Sequence, residues 1–270
     1  MKQWTYLLSA LLVLIACNDN AEKKITAADP EAQLKTAIGN YPDSALLKEK
    51  LVQFYRDNNN DSMAMATIDD AIKKDAAYDR WWDIKAQLYE AGNDTANSIR
   101  SWEKAAAIYP DPKYLLPLGY LYANLKNARA IIIADTLLNA YKPKYDKEAL
   151  LIKGIYYNKS DKQKAIDFFD HALALSYTFM EAYREKAITL YELGKYDEAI
   201  KVLERATTVQ STYDEAWYWM GRCNEKLNKL NEAKENYQQA AEAAAKNNEE
   251  YPEAIEALDK LIAKLKTEHK

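Results

Sequence analysis

Residues 180–213 read MEAYREKAITLYELGKYDEAIKVLERATTVQSTY, and residues 214–247 read DEAWYWMGRCNEKLNKLNEAKENYQQAAEAAAKN. Laid one under the other, they match at Tyr183 and Trp217, Ala187 and Gly221, Ala199 and Ala233, Leu203 and Tyr237, and Ala206 and Ala240, each pair 34 residues apart. Five coincidences at one period mark a chain built by internal repetition, each unit being a pair of helices. Stacked helix pairs make extended surfaces rather than reaction centres.

The register runs outward from this stretch. Stepping back from Ala206 gives Ala172, and Ala37, Ala71 and Ala105 form their own series at 34. The two series meet at Leu138, where the spacing slips by a residue. One unit carries Trp82, Ala86, Tyr89, Trp102, Ala105 and Pro110. The next carries Leu118, Gly119, Tyr122, Ala130, Ala134 and Pro143, and a third Leu150, Gly154, Tyr157, Ala165, Phe169 and Ala172. Small residues at such places let helix backbones approach while a large neighbour fills the remaining space.

This pattern resembles the tetratricopeptide repeat, which sets a large aromatic, a small residue and a Tyr on its first helix. Ala, an aromatic and Ala follow on the second helix, with Pro at the exit. The resemblance covers almost the whole chain from about residue 30 onward. It implies an all-α fold, a right-handed α-solenoid of tetratricopeptide-type helix pairs with a C-terminal capping helix. The expected layout is a half repeat over 30–44, six repeats over 45–247 and a cap over 248–270. Asp29-Pro30-Glu31 reads as a helix start, with Asp as N-cap, Pro in the first turn and acid at the positive end. Gly39 and Pro42 stop that helix. Pro252-Glu253 opens the cap, whose apolar face is expected to hold Ala254, Ile255, Leu258, Leu261, Ile262 and Leu265. Composition agrees, with charged residues at 29%, only 6 Gly and no alternating strand pattern.

The first residues carry a different message. Lys2 is followed by an apolar run from Leu7 to Ile15, too short for a membrane-spanning helix, which needs about 20 residues. The run ends Leu14-Ile15-Ala16-Cys17, which resembles the lipobox of bacterial lipoprotein signal peptides. That resemblance implies cleavage of residues 1–16, lipidation of Cys17 and a mature chain beginning there. Residues 17–29 are polar and read as a flexible tether. Two or three acyl chains would anchor the protein durably, since each buried CH₂ adds about 0.8 kcal/mol. The expected location is the bacterial cell envelope, lipid-anchored, the outer membrane favoured over the inner.

Signals for chemistry are absent from the sequence. With Cys17 lipidated, Cys223 has no disulfide partner in the chain, and it reads as a small core residue. His171 and His269 are far apart, and no metal-ligand spacing or phosphate-binding loop appears. Asp57-Asn58-Asn59-Asn60-Asp61 begins like a calcium loop, but Ser62 stands where the turn needs Gly and Ile68 where a Glu should close the site. It reads instead as an inter-helix turn, with Asn tolerating left-handed backbone. The expectation is no cofactor, no metal and no enzyme. A net charge of −4 with interspersed signs also argues against nucleic acid.

In tetratricopeptide proteins the first helices line a concave groove. Carried over, this places Leu116, Tyr120, Leu151, Ile155, Arg184, Ile188, Tyr191, Tyr218 and Arg222 on that face, with Asn158 and Lys226 beside them. An extended peptide with a hydrophobic middle and an acidic end would suit it. The third unit departs from the pattern. Pro117 lacks an amide hydrogen, so its helix is expected to start no earlier than about Tyr114 without losing a bond. Ile131-Ile132-Ile133 puts Ile132 and Ile133 forward as a convex contact with a partner or a second copy. The function expected is a membrane-tethered protein–protein interaction scaffold; the alternative is an accessory glycan-binding lipoprotein whose aromatics stack on sugar rings.

Overall fold

The computed structural model describes residues 29–268. The leader, Cys17, the tether up to Ala28 and His269 lie outside the described residues. Those described form helices without a strand: α1 (Pro30–Asn40), α2 (Ala45–Asp57), α3 (Asp61–Lys74), α4 (Asp79–Ala91), α5 (Thr95–Ile108), α6 (Pro112–Asn124) and α7 (Arg129–Ala140). They continue as α8 (Asp146–Asn158), α9 (Lys162–Leu175), α10 (Met180–Glu192), α11 (Tyr196–Val209), α12 (Asp214–Lys226), α13 (Leu230–Lys246) and α14 (Pro252–Glu268). The chain divides into two compact units between Asn60 and Asp61.

In the first unit the Asp29 side chain caps α1 by accepting the Glu31 amide at 3.1 Å. Glu31 pairs with Lys35 at 2.7 Å and accepts the Tyr55 hydroxyl at 2.7 Å, which ties α1 to α2. The helix ends at Asn40, ahead of Pro42. Ser44 then caps α2 through the Leu47 amide at 3.4 Å.

The second unit is an α-solenoid of helix hairpins. Asp94, Asp111 and Asp161 cap α5, α6 and α9 with their side chains, satisfying amides that a helix start leaves bare. Turns between paired helices use a left-handed residue at Asn93, Lys126, Gly194 and Asn228, with Asn59 alike in the first unit, whereas the α8–α9 turn does without one. Asn and Gly take this conformation at small cost, and Lys does so at a larger one.

Within a hairpin the small residues do what their positions predict. A Cβ built on Gly154 would lie 2.2 Å from the Phe169 ring of α9, and one on Gly221 would lie 2.6 Å from the Tyr237 ring of α13. Ala86 and Ala187 have no exposure at all or nearly none, and each shares a cluster with the large residue of its partner helix, Trp102 or Leu203. Burying one such large side chain contributes about 1.5–3 kcal/mol. The burial recurs hairpin after hairpin instead of collecting in one core. At the far end Leu261 of α14 packs on Ala233 and Tyr237, with Leu258 and Leu265 beside it. Ile255, expected on the same face, is 44% exposed, because Ala254 takes the buried position.

Two features of the third hairpin correct the sequence reading. Helix α6 begins at Pro112, capped by Asp111, and runs through Pro117. The rung from residue 117 to the Lys113 carbonyl is forgone rather than the first turn. Ile132 is 65% exposed, but Ile133 is half-buried and packs on the core. Its Cγ2 lies 3.2 Å from where a Cβ on Gly119 would stand, so Ile133 is a packing residue and not a convex contact.

Candidate functional site: the first-helix face

Helices α6, α8, α10 and α12 touch one another in series, α6 with α8, α8 with α10 and α10 with α12, whereas neighbouring second helices make no comparable contact. The first helices therefore form the inner layer, and their free side is the candidate site. Among the residues placed there from sequence, Leu116, Tyr120, Ile155, Ile188, Tyr191, Tyr218, Arg184 and Arg222 are all half-buried side chains on this layer. Leu151 is not available: at 2% exposure it belongs to a core cluster with Ala165, Phe169, Ala172, Phe179 and Ala182. Its place on the helix faces the hairpin partner rather than the opening. Asn158 is buried as well, and its side-chain oxygen has no hydrogen-bond partner.

The site residues gather in two groups. Leu116, Tyr120 and Ile155 pack together against the core beneath α6 and α8. Tyr191, Tyr218 and Trp219 form a second group with Arg222. Tyr191 meets Trp219 edge to face at 5.5 Å, Trp219 meets Tyr218 at 5.8 Å, and Tyr218 continues to Tyr251 at 5.2 Å. The Arg222 guanidinium sits 5.7–5.8 Å from all three ring centroids of this group and donates to the Tyr218 hydroxyl at 2.9 Å. It has no carboxylate within ion-pair distance among the described residues.

Arg184 stands between the groups and is already committed. Its Nη1 donates to both oxygens of Glu215, at 2.9 and 3.2 Å, and its Nε donates to Glu185 at 3.2 Å. The Tyr213 hydroxyl donates to Glu215 as well, at 2.7 Å. Burial works against the Arg184 charge, but Glu215 and Glu185 outweigh it and hold the guanidinium above its ordinary range. Burial pushes the Glu185 carboxyl up, and Arg184 only partly opposes this. Tyr120 is also held above the usual phenol range, first by burial and then by Glu148, Glu181 and Glu185, with Arg184 pulling the other way.

These neighbours make the middle of the face, around Tyr120 and Arg184, acidic on balance. Glu148, Glu181, Glu185 and Glu215 surround Tyr120 and Arg184, against Arg184 itself and Lys147, which lies 3.7 Å from Glu148. One Glu148 oxygen is shut away from solvent without a hydrogen-bond partner. Of the cations behind the expected acidic peptide end, Arg184 is spent on internal carboxylates, whereas Arg222 is not. The sequence did hold a signal for this: Glu148, Glu181 and Glu215 recur at 33 and 34 residues near the start of successive first helices. Acidic residues favour helix starts in any case, which hides such a series in plain view.

At the N-terminal end of the layer, Asp83 is 5% exposed and fully engaged. It accepts from Trp102 at 3.0 Å and from Gln87 at 3.1 Å, and it pairs with Arg80. Cys223 is buried, with its thiol pushed up to about 12 by desolvation, a packing residue as expected.

Models of the tetratricopeptide repeat match residues 189–227 and 214–247. The repeats are of tetratricopeptide type. A further model, described as anaphase-promoting complex, cyclosome, subunit 3, matches residues 123–206. Among solved structures, the chain is similar to a tetratricopeptide repeat protein from Parabacteroides merdae, with a TM-score of 0.70 and 17% identity over 86% of this chain and 91% of that one. It is similar also to PilW, a widely conserved type IV pilus biogenesis factor, with a TM-score of 0.59 and 22% identity over 72% of this chain and 90% of that one. A thermophilic protein with these repeats from Thermus thermophilus gives a TM-score of 0.55 at 18% identity, over 69% of this chain and 98% of that one. At such identities the likeness concerns the fold. An uncharacterized protein of Methanocaldococcus jannaschii is 36% identical over 53 residues, 20% of this chain and 62% of that protein, so the chain spans less than two thirds of that relative's length.

Proposed function

We propose that this chain is a lipid-anchored interaction scaffold of the bacterial cell envelope, holding an extended segment of a partner protein against its first-helix face and performing no chemistry of its own. The observation that carries the reading is the combination on that face of aromatic side chains, Tyr120, Tyr191 and Tyr218, with carboxylates at Glu148, Glu181 and Glu185. Aromatic anchors supply contact area at low entropic cost, and the surrounding charge selects the partner. The segment that suits this face has apolar side chains and at least one Lys or Arg. A peptide is favoured over a sugar because Tyr191 and Trp219 meet edge to face with Arg222 beside both rings, an arrangement that offers no flat platform for a sugar ring.

The anchor rests on Leu14-Ile15-Ala16-Cys17 alone. Radiolabelled palmitate should enter the wild-type chain and not Cys17→Ser, and the variant should leave the membrane fraction. Retention with label in that variant would end the lipoprotein reading. For the face, the measurement is crosslinking in the native envelope, comparing Tyr120→Ala with Tyr218→Ala in one chain against Ile132→Glu. Loss of the crosslinked partner in the first alone supports the face, whereas loss in the second alone moves the working surface to α7.

A further inference from the structure

Four charged residues recur with the same offsets in two places. Asp69, Lys85, Arg100 and Lys104 are separated by 16, 15 and 4 residues, and so are Asp170, Lys186, Lys201 and Arg205. In each set the aspartate, on α3 or α9, pairs with the lysine of the next helix, α4 or α10. That lysine is sunk between helices, its side chain 18% exposed at Lys85 and 16% at Lys186. The remaining two cations lie one turn apart on the following second helix, α5 or α11, and are exposed.

Lys85, Arg100 and Lys104 border a cavity lined by α4 and α5, and the second set borders a cavity lined by α9, α10 and α11. One, of about 160 Å³, is walled by Trp82 and Tyr89. The other, of about 280 Å³, is floored by Ile166, Leu190 and Val202. The internal acids are used up: Asp69 on Lys85, Asp170 on Lys186, and Glu198 on Lys195 at 3.3 Å. Arg100 donates only to the neutral Asn97 side chain, and Lys104, Lys201 and Arg205 have no carboxylate within ion-pair distance among the described residues. The same positions elsewhere do not repeat the pattern, since α9 has Asp167 and His171 and α13 has Glu235 and Gln239. In a chain of net charge −4, two unneutralised cation pairs over apolar walls are a local excess of the opposite sign.

We propose that these two gaps receive carboxylate side chains from an acidic, leucine-flanked segment of a partner protein. An arginine fork in each gap matches a carboxylate in plane, and the neighbouring lysine adds a point charge. The recessed apolar walls take the carbon stem of a side chain, which a flat layer of lipid headgroups could not offer. The surface is separate from the first-helix face: its exposed cations stand on second helices, α5 and α11, and it selects the opposite charge.

The test uses the full chain and a fluorescein-labelled eight-residue peptide of alternating glutamate and leucine. Either Arg100→Glu with Lys104→Glu or Lys201→Glu with Arg205→Glu should weaken binding about tenfold. All four changes together should abolish it, with the helical circular dichroism intact. Raising the salt should weaken the wild-type interaction, as screening of exposed charge requires. The proposal falls if the fourfold variant binds the peptide as the wild type does. It falls equally if inorganic phosphate or phosphatidylglycerol vesicles bind with this dependence while the peptide does not.

Discussion

The α12–α13 hairpin and the α6–α7 hairpin answer the same packing demand from different sides. In the first, Gly221 opens a notch that the Tyr237 ring of its own partner helix fills. In the second, Gly119 opens a notch filled by Ile152 Cδ1 from the next repeat, at 2.6 Å from a built Cβ, and by Ile133 from its own. A glycine on a first helix thus marks a close approach, and the side chain that closes it can come from within the repeat or from beyond it. The break in the 34-residue ruler at Leu138 lies in the hairpin whose notch is filled across the boundary.

Substitutions at the notches, on α7 and at one turn would sharpen or break this contrast. Gly154→Leu drives a side chain into the Phe169 ring and should cost about 3 kcal/mol or more in urea unfolding. Gly39, with nothing within 4 Å of a built Cβ, supplies the control, and an equal loss from Gly39→Leu would show that the notch is not the cause. Pairing Gly154→Ala with Phe169→Leu, the combination that Ala187 and Leu203 already use, should recover part of the loss from Gly154→Ala alone. A smaller effect separates the isoleucines of α7: Ile133→Glu should cost about 2 kcal/mol and Ile132→Glu no more than about 0.5. Equal costs would erase the distinction drawn between a packing residue and a surface one. Smallest is Lys126→Gly at a φ of 56°, which should stabilise by about 0.5–1 kcal/mol, read as a rise in the denaturation midpoint.

Much of the fold is legible in the residues because its determinants are local and periodic. The Asp29-Pro30-Glu31 start, the small residues at Gly154 and Gly221 and the Asn turns state their roles through spacing alone. The face was less legible. Leu151 and Ile155 look alike in sequence, and only a rotation of the helix decides which one turns inward. Arg184 reads as a free cation until the fold brings Glu215 from the next repeat against it, 31 residues away. Charge on a solenoid surface is a property of neighbouring repeats together, and a single repeat cannot report it. The cation pairs on α5 and α11 went unseen for the same reason: Lys201 and Arg205 are ordinary surface residues until Asp170 is known to be spent on Lys186.

The ion pairs Asp69–Lys85, Asp135–Lys153 and Asp170–Lys186 all run from the second helix of one repeat to the first helix of the next. At each lysine the side chain is under a fifth exposed, so its charge depends on a partner in the preceding hairpin. A cut at a repeat border therefore strands a shielded cation, whereas a cut at an inter-helix turn keeps each pair whole. For dissecting this protein into fragments, cuts at the repeat borders keep the Gly154–Phe169 and Ala86–Trp102 packing whole, and each such cut leaves one of these lysines to be replaced.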